Sequence, residues 1–161
     1  MPPSDTSLNS DRPWTPRVTV AAVVEREGRF LFVEESVAGE TRINQPAGHL
    51  EDRESVLDAV VRETLEETAW RFTAEALVGI YRWRQGTSGE TFLRFAFCGK
   101  VADHDDTRIL DPEIRRVLWL DRDALLARRA QWRSPLVMRC VEDYLAGNRY
   151  PLEVLLDETG P

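Results

Sequence analysis

A helix with two faces of opposite demand governs the rest of this chain. From Ser55 to Thr68 the sequence reads as one amphipathic helix, with Leu57, Val60, Val61, Thr64, Leu65 and Thr68 on a broad face at helical spacing. That face needs a sheet or another helix to pack against. Glu63, Glu66 and Glu67 share a separate arc, at i, i+3 and i+4, where like charges repel. Two of the three sit in the last turn, where the helix dipole already disfavours negative charge. Either a cation gathers there, or the face is simply solvated, as acidic helix faces often are. Ser55 is the expected N-cap with Asp58 as its capping-box partner, and Glu51, Asp52 and Glu54 suit the positive end of the dipole.

The segments around this helix read mostly as strands. RVTVAAVVER (Arg17 to Arg26) and RFLFVEE (Arg29 to Glu35) are β-branched and aromatic runs joined by Glu27-Gly28, which predicts a hairpin. Pro46 and Gly48 punctuate the stretch from Ile43 to Arg53 as a loop. Strands are predicted over Phe72 to Trp83, Thr91 to Val101 and Ile114 to Leu120, with a turn at Gly86 to Gly89. Helices are predicted over Asp121 to Arg129 and Pro135 to Ala146, the second ended by Gly147-Asn148. The expectation is a mixed α/β (α+β) domain over residues 17–161, preceded by a flexible leader over residues 1–16 with Trp14 tacked onto the body.

Composition narrows the function. A 161-residue chain with 42% hydrophobic and 30% charged residues suits one globular domain. Its formal net charge of -7 opposes a nucleic-acid backbone, and no Lys/Arg block tracks one, so a nucleic-acid polymer is not the expected partner. A small anion is compatible with that charge if a bound divalent cation reverses the local field. Cys98 and Cys140 have neither CxxC spacing nor histidine companions, so they read as buried, reduced thiols. No apolar run suits a membrane span or a signal peptide, which leaves the cytoplasm as the expected location. A monomer is expected, since no long apolar stripe is left over once the core is assigned.

Carboxylate clusters suit Mg²⁺, with Mn²⁺ as a substitute, and magnesium takes part of its coordination from substrate phosphates. Arg62 and Glu54 are spaced to hold neighbouring carboxylates in one rotamer through charge-assisted hydrogen bonds.

The helix also belongs to a longer pattern, GHLEDRESVLDAVVRETLEETAW, in which Gly48, Glu54, Arg62-Glu63 and Glu66-Glu67 recur at fixed spacing. This resembles the Nudix box. Thr64 stands where the family pattern has an aliphatic residue, and Ala69 where it has the glycine that ends the helix. The resemblance implies a Nudix fold, a mixed β-sheet sandwiched between α-helices. It also implies that Glu63, Glu66 and Glu67 bind metal with help from the Gly48 carbonyl, and that water attacks phosphorus with a box glutamate, here Glu63, as base. NQPAGHLE (Asn44 to Glu51), FLRF (Phe92 to Phe95), RSPLV (Arg133 to Val137) and RYPLE (Arg149 to Glu153) extend the likeness to the NudJ-type phosphatase subgroup. For that subgroup the resemblance implies release of inorganic phosphate from nucleoside di- and triphosphates and from thiamine-type pyrophosphates. The same fold could instead act on ADP-ribose or dinucleoside polyphosphates, or serve as a nucleotide sensor without turnover.

Other candidates surround that centre. Glu113, in LDPEI, is either a further metal ligand from outside the box or an ordinary loop carboxylate. Alternation turns Arg94 opposite to Leu93, toward solvent or a phosphate-binding cleft. Trp83 or Tyr81 could stack on a heterocycle, with plain core as the other reading for Trp83. Asn44 and Gln45 could hydrogen-bond the ligand or cap a turn. His49, beside Gly48, is left outside the catalytic set.

Overall fold

The computed structural model describes residues 13–158. In chain order the strands are β1 (Arg17–Val23), β2 (Glu25–Arg26), β3 (Arg29–Val37), β4 (Glu40–Asn44) and β5 (Ala47–His49). Helix α1 (Val56–Thr68) follows, then β6 (Arg71–Arg84), β7 (Thr91–Ala102), β8 (Ile114–Leu120), α2 (Arg122–Ala127) and α3 (Leu136–Leu145). Most of the proposed leader, residues 1–12, lies outside the described residues, and Trp14 is 70% exposed rather than packed on the body.

One sheet has the order β5-β1-β7-β6, with β1 parallel to β7 from Arg17↔Phe92 to Val23↔Cys98 and antiparallel to β5. The second contains β2, β3 and β4, with β8 also paired to β3. The central strands bury both faces. Alternate residues divide between two cores: Ala21, Val23, Ala96 and Cys98 join Val137, Cys140 and Val141 of α3. Val20, Ala22 and Phe97 join Ala59 and Val60 of α1. Period-2 side-chain alternation thus places α1 against one face of the sheet and α3 against the other. Among the described residues no helix is long and apolar enough to cross a membrane.

The expected hairpin is shorter than the sequence suggests. Only Glu25 and Arg26 pair with Phe30 and Arg29, around a turn in which Glu27 (φ 53) and Gly28 (φ 75) both have positive φ. The chain changes sheets at Val24, because Arg17–Val23 is claimed on both edges by β5 and β7. The expected loop after Ile43 also contains β5, paired Thr19↔His49, Val20↔Gly48 and Ala21↔Ala47. Pro46 does not prevent this: it precedes β5 at the sheet edge, and its carbonyl accepts from Ala22 N–H at 2.9 Å.

Helix α1 begins where its cap predicts. Ser55 Oγ accepts from Asp58 N–H at 3.0 Å. It ends at Ala69, held left-handed at φ 60 ψ 10, with its N–H donating to Leu65 O. That conformation costs an alanine roughly 1 kcal/mol or more. Burial of Ala69 under the adjoining core, with 3% exposure, opposes that cost.

Candidate active site

The C-terminal half of α1 faces a cavity of about 410 Å³ between α1, β5, the start of β7 and the β7–β8 connection. Glu63 and Glu67 are buried within it, at 8% and 7% exposure, while Glu66 is half-buried. Arg62 organises this end of the helix. Its Nε and one Nη form a two-point ion pair with Glu54 at 3.0 and 2.7 Å. It also donates to Glu63 Oε1 at 2.9 Å, to Glu66 Oε2 at 3.2 Å and to the His49 carbonyl at 3.0 Å. Glu54 in turn accepts from Glu51 N–H at 2.8 Å, and the Arg62 bond holds its carboxyl below the usual range. A single guanidinium therefore fixes the rotamers of three box glutamates and ties them to the β5 backbone.

Gly48 lies against Glu63. A Cβ on Gly48 would stand 2.0 Å from the Glu63 carboxyl carbon, so any side chain there must displace the carboxylate. We expect Gly48→Ala to lower kcat by roughly 10²-fold while leaving the far-ultraviolet circular dichroism unchanged, since small misplacements of a catalytic group have costs of that order. Retained activity would mean that Glu63 need not sit where it does.

One oxygen each from Glu63, Glu66 and Asp111 lie within 4.8 Å of one another. Glu67 lines the same cavity and accepts from Ala47 N–H at 2.9 Å. Burial pushes its carboxyl up to about 9; the Ala47 bond opposes that rise, and the like charges of Glu35, Glu63 and Asp111 add to it. Glu63 is also raised by burial, against the pull of Arg62. Four carboxylates against the single guanidinium of Arg62 leave an excess of negative charge that fits a hard divalent cation, and Glu63, Glu66, Glu67 and Asp111 are the groups that would hold it.

The sequence points to Glu113 of this loop as the candidate ligand, and the structure instead brings Asp111 of the same loop to the cluster. Asp111 N–H donates to Glu66 O at 3.1 Å, satisfying an orphan carbonyl in the last turn of α1 and docking the loop on the helix end. Glu113 lines the cavity from an exposed position, outside that oxygen set, and its carbonyl accepts from Ser36 N–H. Glu35 is a second addition. By strand alternation it shares a face of β3 with Leu31 and Val33, and it lines the cavity, where burial raises its carboxyl and Arg133 opposes the rise. The period-2 alternation of β3 was the signal that could have found it.

Arg94 lines the same cavity and is buried at 6% exposure, with no carboxylate within ion-pair distance among the described residues. It donates to Gln45 Oε1 and Asn44 Oδ1, each at 3.3 Å, and its Nε has no partner. Gln45 also donates to Val137 O at 2.7 Å, which ties it to α3. Trp83 is half-buried, stacked on Phe92 at 5.6 Å, and lines the same cavity. Tyr81 instead donates to Asp143 of α3 at 2.9 Å, away from the cavity lining.

Comparison with known proteins places this arrangement. The NUDIX domain family model matches residues 15–140. The chain belongs to the Nudix family. Phosphatase NudJ of Escherichia coli (strain K12) is 38% identical over 146 residues, covering 91% of this chain and 94% of that protein. A Nudix hydrolase from Nitrosomonas europaea, 49% identical, superposes with a TM-score of 0.89 over 91% of this chain and 100% of that one. A MutT Nudix hydrolase from Burkholderia pseudomallei shares the fold at 22% identity and a TM-score of 0.69, over 81% of this chain and 98% of that one. This Nudix protein is therefore a hydrolase of phosphoanhydride bonds in small nucleotide-type substrates, from a family that generally uses divalent metals. Its two departures from the Nudix box are accommodated locally. Thr64 folds its hydroxyl onto Val60 O at 2.7 Å inside the core, and Ala69 takes the left-handed cap itself.

Proposed function

We propose that this Nudix hydrolase is Mg²⁺-dependent and releases inorganic phosphate from nucleoside di- or triphosphates or from thiamine-type pyrophosphates, acting as a cytoplasmic monomer. The observation that carries the reading is the presence, in one cavity, of converging carboxylates and a buried arginine that lacks a carboxylate partner among the described residues. A polyanion with a divalent cation answers both needs at once, since a buried charge is costly until it is paired. The likeness to Phosphatase NudJ supports the choice of released product.

When bound, a divalent cation supplies Lewis-acid polarisation of the phosphoryl oxygens and offsets charge on the departing bridging oxygen. Glu63, Glu66, Glu67 and Asp111 would hold it, with the Gly48 carbonyl as a further oxygen donor and Glu113 at the cavity edge within reach only of a bound water or phosphate. Glu63 accepts the proton of the attacking water, and Arg62 and Glu54 keep its carboxylate in place. Arg94, oriented by Asn44 and Gln45, binds a phosphate oxygen, and Trp83 offers its ring to the heterocycle.

The test assays phosphate and pyrophosphate release separately, with and without chelator, across nucleoside di- and triphosphates, thiamine pyrophosphate, ADP-ribose and dinucleoside polyphosphates. Phosphate release that EDTA abolishes and Mg²⁺ restores is the expected result. Pyrophosphate as the sole inorganic product, or turnover confined to ADP-ribose or dinucleoside substrates, would overturn the substrate assignment. Tight binding with no product over hours would make the protein a sensor.

A further inference from the structure

The carboxylate cavity adjoins a second one of about 600 Å³, and Trp83, Gln85, Arg133 and Ser134 line both. The chemistry changes across that border. The first cavity carries seven carboxylates and three arginines, whereas the second carries Arg42, Arg129 and Arg133 against Glu40 alone. On a chain of net charge -7 this is a local reversal of sign. Arg42 is held by Glu40 and by the Ala130 carbonyl. Arg133 has its Nε 3.3 Å from Glu35 Oε1, and its side chain is 42% exposed at the border.

The second cavity is also aromatic. Trp132 is fixed by its indole N–H, which donates to Leu125 O at 2.9 Å, and Arg129 lies 5.9 Å from its ring centroid. Phe92 covers one side of Trp83, whose ring borders both cavities. Arginines interleaved with flat, anchored rings are complementary to a planar heterocycle that carries phosphate.

We propose that this second cavity binds the leaving group, a heterocycle monophosphate, so that water attacks the terminal phosphorus of the substrate. The inference rests on the phosphate-releasing reading above and deepens it. In the step, a water oxygen bonds to the terminal phosphorus and the bond from that phosphorus to the bridging oxygen breaks. Its electron pair stays on the retained monophosphate, and the water proton passes to a carboxylate. The products are inorganic phosphate in the acidic cavity and the monophosphate against Arg133. The opposite orientation sets the ring among the carboxylates and leaves Trp132 without one.

The experiment uses the full chain with ADP as substrate and AMP, adenosine and inorganic phosphate as probes. Hydrolysis in ¹⁸O-water is expected to label inorganic phosphate and not AMP. AMP should compete with ADP, while adenosine and phosphate alone bind at least about tenfold more weakly, the order expected for losing one charged hydrogen bond. Arg133→Ala and Arg42→Ala should each weaken AMP binding and raise the KM for ADP by roughly the same factor, while the Mg²⁺-induced rise in Tm is retained. Label in AMP, or AMP binding unaltered in both folded variants, would overturn the proposal. Calorimetry of AMP needs no turnover, so it separates the two readings. Absence of product from every substrate defeats the phosphate-releasing reading, and absence of AMP binding to the parent protein defeats the assignment of the cavity.

Discussion

Glu67→Gln is expected to lower kcat by roughly 10²- to 10³-fold, the usual cost of losing one electrostatic contact to the reacting centre. It should also raise the Tm of the metal-free protein at pH 8. The two effects share one cause. Glu67 is buried, meets the charges of Glu35, Glu63 and Asp111, and has its carboxyl pushed up to about 9, so without a cation it is held mainly as the neutral acid. The unfolded chain ionises the same group near its ordinary value of 4.5. Folding at pH 8 must therefore take up a proton, which opposes the native state. Glutamine keeps an oxygen to accept from Ala47 N–H and carries no charge, so that cost disappears along with the cation ligand. Steady-state kinetics with Mg²⁺ and thermal melts in EDTA measure the two halves separately. Full activity would remove Glu67 from the site, and an unchanged or lower Tm would show that its carboxylate is not a burden to the metal-free fold.

The parts of this molecule that were legible in its sequence are those fixed by local rules. Ser55 as cap, the two faces of α1, and the strand positions of β6, β7 and β8 follow from side-chain chemistry and period, which act over a few residues. What was hidden depends on pairing between distant segments. The split of the first strand at Val24 is set by β5 and β7, which take the two edges of Arg17–Val23. Asp111 and Glu113 are two loop carboxylates of equal promise in a linear reading, and a backbone bond to the end of α1 is what brings Asp111 to the cluster. Arg94 shows the same limit from the other side. Strand alternation says that it opposes Leu93, but only the packing of Asn44, Gln45 and α3 shows that it is buried with no carboxylate partner among the described residues.

The metal-free protein is expected to lose stability as pH rises from about 4.5 toward 9, and saturating Mg²⁺ should remove most of that slope. Glu67 has a folded value raised above its unfolded one, so over this window the native state holds more protons than the unfolded chain. Stability then falls with rising pH, by at most about 1.4 kcal/mol per unit from this group. Glu35 and Glu63 are shifted in the same direction by burial and add to the fall above their ordinary values. Glu54 is shifted the other way by Arg62, so the stability it contributes is present above 4.5 and is lost only as pH drops through its lowered folded value. A cation competes with the Glu67 proton, so Mg²⁺ affinity should rise by up to about tenfold per pH unit below 9 and level off above it. Melting curves with EDTA and with Mg²⁺, taken between about pH 6 and pH 9, should diverge as pH rises, with the larger Mg²⁺ effect on the alkaline side. Parallel curves would mean that no proton leaves when the cation binds. Either the buried carboxyl would then already be ionised in the metal-free protein, or it would keep its proton while the cation is held by Glu63, Glu66 and Asp111 without Glu67.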